Sequence, residues 1–103
     1  MSQRDERKDY IFDIETNGLL HDLTTIHALV LLDLQSGQKY SCNDQQENAP
    51  SISEGLALLA GADRMIGHNI VGFDLPAIRR VYPDWQYRGE AVDTLLLSRL
   101  YYP

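Results

Sequence analysis

The stretch YIFDIETNGL, Tyr10 to Leu19, decides how the rest of the chain is read. Apart from Asp13, its first five residues are aromatic or β-branched, the composition of a buried strand. Alternation along such a strand puts the Asp13 and Glu15 side chains on one face at the strand's end. Two carboxylates so placed can share one hard, oxygen-liking cation such as magnesium or manganese. They can equally be strand-end surface acids, since 15 Asp and Glu residues in 103 yield roughly two such pairs by chance. Position favours a site. Polar residues directly after a buried strand, followed here by the Asn17-Gly18 turn, are where α/β sheets carry their chemistry.

Working outward, Thr25 to Asp33 is a second apolar stretch, and Lys39 to Cys42 a third strand. The turn Gln35-Ser36-Gly37-Gln38 joins them as an antiparallel hairpin. Asn43 to Pro50 is polar loop. Ser51 and Glu54 have capping-box spacing, and Ile52, Leu56 and Leu59 form the apolar stripe of a helix that Gly61 ends. Met65-Ile66-Gly67 is a short strand. Asp74-Leu75-Pro76 opens a second helix with Leu75, Ile78 and Tyr82 on its buried face, stopped by Pro83. Ala91-Val92 is a last strand, and Asp93-Thr94 caps a third helix carrying Leu95, Leu96, Leu97, Leu100 and Tyr101. Three strands in a meander, followed by alternating helices and strands, predict a mixed α/β sheet with helices on its faces.

One compact domain of 11.7 kDa accommodates that pattern. Residues 1–9, charged throughout, read as a solvated, disordered leader, and 10–103 as the domain. A net charge of −6 argues against gripping nucleic acid by bulk electrostatics, but it suits a protein that holds metal with carboxylates. The single cysteine, Cys42, makes no internal disulfide, and no signal segment or membrane span is visible. A cytoplasmic location is the expectation. The leucine-rich last helix has nothing after it to cover its stripe, which predicts a chain cut short, or self-association through that helix.

A second constellation runs from His68 to Asp74, HNIVGFD, between a short strand and a helix start. Asp74 there can face the same sheet edge as Asp13, although Asn69 or Asp74 can also be a simple helix cap. His68 by itself reads as a packed or exposed histidine as readily as a functional one.

Together these blocks resemble the DEDD 3′–5′ exonucleases. Phe12 to Leu19 looks like their first motif, Gly67 to Asp74 like the second, and Val92-Asp93-Thr94-Leu95 like the helix start that follows. The ordered set, over about residues 10–102, is most similar to the proofreading domain of phage-type family A DNA polymerases. The resemblance implies an RNase H-like fold lacking its C-terminal helices. It implies two divalent ions, Mg2+ or Mn2+, with Asp13 bridging both, Glu15 holding the first and Asp74 supporting the second. The reaction implied is metal-dependent hydrolysis of a DNA 3′ end to nucleoside monophosphates. Leu19 and Leu20 would line the pocket for the terminal base, and Thr16, Asn17, His68, Asn69 and Phe73 would meet the strand, with Phe73 mainly core beneath the site. Asp93 is expected as a helix cap. The partners implied are a single-stranded DNA 3′ end and the remainder of a polymerase chain.

The family's fourth carboxylate, paired with an upstream Tyr or His on a late helix, has no counterpart here. Tyr40 and Asp44 have the right spacing in the wrong place. Two alternatives therefore stand beside the proofreading domain: a truncated, non-catalytic fragment with weak metal or nucleic-acid binding, and a stand-alone RNA-trimming exonuclease.

Overall fold

A computed structural model describes the backbone of residues 7–101 and the side chains of residues 7–97. Strands β1 (Asp9–Thr16), β2 (Ile26–Asp33) and β3 (Lys39–Cys42) precede helix α1 (Ile52–Ala60). Strand β4 (Arg64–Gly67), a π-helical turn (Ile70–Asp74), helix α2 (Leu75–Val81), strand β5 (Glu90–Asp93) and helix α3 (Thr94–Tyr101) follow. The five strands form one sheet in the order β3-β2-β1-β4-β5. β1 is central, antiparallel to β2 and parallel to β4.

Period-two burial sorts the two faces of β1. Tyr10, Phe12 and Ile14 are buried, whereas Ile11, Asp13 and Glu15 are exposed. The buried side meets Leu29 and Leu31 of β2, Met65 of β4, Ile52, Leu56 and Leu59 of α1, and Leu75 and Ile78 of α2 in one core. α1 lies hard against the sheet, because a Cβ on Gly55 would collide with the Cys42 Sγ and Leu29 Cδ2 atoms. Ser51 caps α1 by accepting the Glu54 N–H at 3.0 Å. The Glu54 return bond of a capping box is not made. Gly37 turns the β2–β3 hairpin with a φ of 78°, a conformation that suits glycine.

Three departures from the sequence reading stand out. Residues 7–9, assigned to a disordered leader, are ordered, and residues 1–6 of that leader lie outside the described residues. Asp9 opens β1 and is buried, its carboxylate gripped by Arg7 Nε at 2.9 Å and Arg64 Nη2 at 3.2 Å. Gln35 pairs with it twice, donating from Nε2 at 3.0 Å and accepting the Asp9 N–H at 2.8 Å. Second, the chain enters α2 through a π turn rather than directly at Asp74. Third, Tyr82 is only half-buried and follows the last residue of α2.

On the opposite face, Ile11, Val30, Leu32 and Ile66 are exposed or half-buried, uncovered by α1 or α2. Leu96 and Leu97 of α3 are also exposed. Leu100 and Tyr101, the rest of the expected bare stripe, lie outside the described side chains. No helix among the described residues is long and apolar enough to cross a membrane.

Candidate active site

The site forms where the C-terminal ends of β1 and β4 meet the π turn. β1 delivers Asp13 and Glu15 to its exposed face, as alternation requires. At the end of β4, Gly67 lets the chain fold tightly back. A Cβ there would strike the Ile70 side chain and lie 3.0 Å from the Phe12 carbonyl oxygen. Asn69 then adopts a left-handed conformation, φ 61° and ψ 34°, which Asn tolerates better than most residues. Its Oδ1 occupies the space a side chain on Gly72 would need.

Asp93, at the end of β5, holds this turn in place. Its Oδ1 accepts the Asn69 N–H at 2.9 Å and its Oδ2 the Val71 N–H at 2.9 Å. Oδ1 also accepts the Leu95 N–H at 2.9 Å, capping α3. Those bonds outweigh the cost of burial and hold its carboxyl below the usual range. One buried carboxylate thus ties the π turn to the first turn of α3.

The π turn ends at Asp74, whose side chain is buried and whose Oδ2 has no hydrogen-bond partner among the described residues. Burial, and then the charge of Asp13, push its carboxyl up to about 6, while the Ile14 backbone amide acts the other way. A buried, unpartnered carboxylate oxygen beside a second carboxylate is costly in water-free surroundings. It is the arrangement a cation would relieve. The structure therefore places Asp74 within the field of Asp13. It does not draw Glu15 into a three-ligand group: among the described residues no three His, Cys, Asp or Glu side chains are placed to hold a metal ion.

A cleft of about 410 Å³ opens beside Asp13 on the exposed face, walled by Ile11, Ile66, His68 and Thr94. The His68 ring is exposed and held through Nδ1, 3.0 Å from Thr94 Oγ1. The sequence reads Thr94 only as part of the helix start that follows the second motif, not as a partner of His68. Its only local signal is its place as the first residue of a helix beginning next to the second motif in space.

The remaining residues named from the sequence are placed as follows. Thr16 donates from Oγ1 to the Gly18 carbonyl at 2.9 Å. The Asn17 side chain is spent on its own loop, accepting the Thr24 and Thr25 N–H groups and donating to Thr24 Oγ1. Leu19 is 66% exposed just beyond the first motif, while Leu20 is half-buried against the core. Phe73 is half-buried and packs on the same core. Asp44 is occupied elsewhere, its Oδ1 accepting the Ile52 N–H at 3.0 Å.

Comparison with known proteins agrees with this architecture. Residues 10–101 match the family model of the RNase_H superfamily. The structure is similar to that of the family B DNA polymerase from the hyperthermophilic archaeon Pyrobaculum calidifontis, with a TM-score of 0.59 and 15% sequence identity over 86% of this chain. The chain spans 15% of that polymerase's length. No curated protein matches. The chain belongs to the RNase_H superfamily, and its mixed five-stranded sheet is an RNase H-like fold. That membership supports a nuclease-type function. The structural likeness is to a family B polymerase, and nothing in it singles out the phage-type family A relationship expected from the motifs.

Proposed function

We propose that this RNase H-like domain is a 3′–5′ exonuclease of the proofreading type, acting on a single-stranded DNA 3′ end as part of a DNA polymerase. The observation that carries the reading is the buried Asp74 Oδ2, unpartnered and in the field of Asp13. Hard divalent cations, Mg2+ or Mn2+, fit such a donor set. Asp13 would bridge two ions, with Asp74 supporting one and Glu15, exposed on the Asp13 face, swinging in to the other. When bound, such ions lower the pKa of water and neutralise charge building at phosphorus.

The chain's own residues set the geometry. Asp93 holds the π turn so that Asp74 stays beside β1. The loop after β1, stapled by Asn17, presents Leu19 to the terminal base, with Leu20 fixed on the core behind it. Thr16, His68, Asn69 and Phe73 border the path of the strand. The product is a nucleoside monophosphate, and the acidic chain takes its DNA affinity from the polymerase to which it belongs.

A strand labelled at its 3′-terminal nucleotide tests this reading. With Mn2+ present, the label should appear as a mononucleotide before any shortening from the 5′ end. Intact DNA, with Mn2+ still bound to the protein, would favour a non-catalytic fragment, a reading to which the lack of a three-ligand group among the described residues lends weight. Release from RNA but not DNA would favour an RNA-trimming enzyme.

A further inference from the structure

The two elements that carry the candidate ligands each run directly into one partner of a single hydrogen bond. β1, with Asp13 and Glu15, leads into the loop of residues 17–25, where Leu23 lies. The π turn, with Asp74, leads into α2, where Arg80 lies near the end. Arg80 Nε donates to the Leu23 carbonyl at 2.7 Å, across 57 residues of sequence. We propose that Arg80 is a positioning residue for the 3′-terminal nucleotide, fixing the loop that presents Leu19 relative to the carboxylate of Asp74. The inference rests on the exonuclease reading and adds to it the residue that sets the seat of the terminal base.

The bonding of the loop shows why an outside anchor matters. At its neck, the Asn17 N–H donates to the Thr25 carbonyl at 3.2 Å, and Asn17 Oδ1 accepts the Thr24 and Thr25 N–H groups. At its tip, the Asp22 and Leu23 N–H groups both donate to the Leu19 carbonyl, at 2.9 and 2.8 Å. Leu19 and Leu23 therefore belong to one small turn. Among the described residues, 18–24 otherwise bond only to each other and to Thr16 and Asn17 at the neck. The Arg80 bond is what joins this turn to another element.

The buried Leu23 side chain gives the turn a pivot in the core. Apolar packing is non-directional and leaves the tilt of the backbone about that pivot weakly set. A short hydrogen bond from a charged donor is directional and supplies the missing constraint. The bonds then run in series from α2 through Arg80, the Leu23 carbonyl and the Leu23 N–H to the Leu19 carbonyl. Leu19, 66% exposed, stands at the end of that chain. Its height above the carboxylates is thus set from the helix that follows Asp74.

Amide hydrogen exchange on the full chain, read by NMR, reports the anchor without any activity. Arg80→Met should speed exchange at Asp22 and Leu23 and leave β1 unchanged. In Mn2+-dependent release of the terminal nucleotide from single-stranded DNA, Arg80→Met should raise KM about 10-fold, the size of one hydrogen bond, with kcat within about twofold. On a strand ending in an abasic nucleotide, parent and variant should share one KM, since no base is left to seat. Arg80→Gln should restore the parent KM, because the glutamine amide nitrogen stands as many bonds from Cα as the arginine Nε and still donates.

An equal rise in KM on the abasic strand, without recovery in Arg80→Gln, would assign Arg80 to a phosphate contact and overturn the proposal. Unchanged exchange at Asp22 and Leu23, or protection lost throughout β1, would overturn it as well. Each of these results leaves the exonuclease reading standing. A parent chain that releases no nucleotide from DNA would sink that reading, and the positioning role with it.

Discussion

Asp74 is buried within the field of Asp13, and burial together with that charge lifts its carboxyl to about 6 against an ordinary 3.8. A folded-state pKa above the unfolded one means that the folded chain holds the extra proton between those two values. The stabilisation is full below about pH 4 and is lost as pH rises through 6. At neutral pH without metal, the folded chain carries two crowded carboxylates that the unfolded chain does not.

Asp74→Asn should therefore stabilise the metal-free protein at pH 7, by an amount on the order of 2 kcal/mol. It should also flatten the dependence of stability on pH between 4 and 6. Urea unfolding in chelator across that range checks both effects. Adding Mg2+ should raise the Tm of the parent and not of the variant, because only the parent keeps the paired donors. A less stable Asp74→Asn protein at pH 7 would show that the carboxylate is a structural hydrogen-bond acceptor.

Asp93 should matter to stability as much as to the site. Asp93→Ala leaves the Asn69, Val71 and Leu95 amides without their acceptor, at a cost of about 3 kcal/mol. Hydrogen exchange should speed up at Asn69 and Val71 before it does in β1. Uniform loss of protection across the sheet would mean that Asp93 supports the whole fold rather than the turn.

At the other end of β1, Asp9 is held down to about 2, first by its hydrogen bond to Arg64 and, against the cost of burial, by Arg7 and Gln35. Its folded pKa lies below the unfolded 3.8, so this contribution is present above about pH 4 and disappears as pH falls towards 2. Arg64→Leu should destabilise the protein by about 1 to 3 kcal/mol at pH 7, with the difference from the parent shrinking in acid. An equal difference at pH 3 and pH 7 would assign the loss to the packing of the Arg64 stem.

What could be read without coordinates follows from range. Ile52, Leu56 and Leu59 fall on one helical face, and Asp13 and Glu15 on one strand face, because periodicity is local. Asp9 was hidden because it sits in a run of charges, and its partner Arg64 is 55 residues away. The three-way grip of Asp93 was hidden for the same reason: the capping bond to Leu95 is local, but Asn69 and Val71 are reached only through the pairing of β4 with β5. The π turn had a faint signal in Asn69 and Gly72, a left-handed residue and the space its side chain needs. The pairing of His68 with Thr94 had none.

We propose that Asp13 and Asp74 form a metal-dependent hydrolytic site. The proposal is tested most directly by Mn2+-dependent degradation of a 5′-labelled single-stranded DNA, with the parent chain beside Asp13→Ala. The account predicts a ladder of products shortened one nucleotide at a time from the 3′ end by the parent. The variant, folded by circular dichroism, should give none. A ladder of equal intensity from the variant, or no ladder from a parent chain that binds Mn2+, would contradict it.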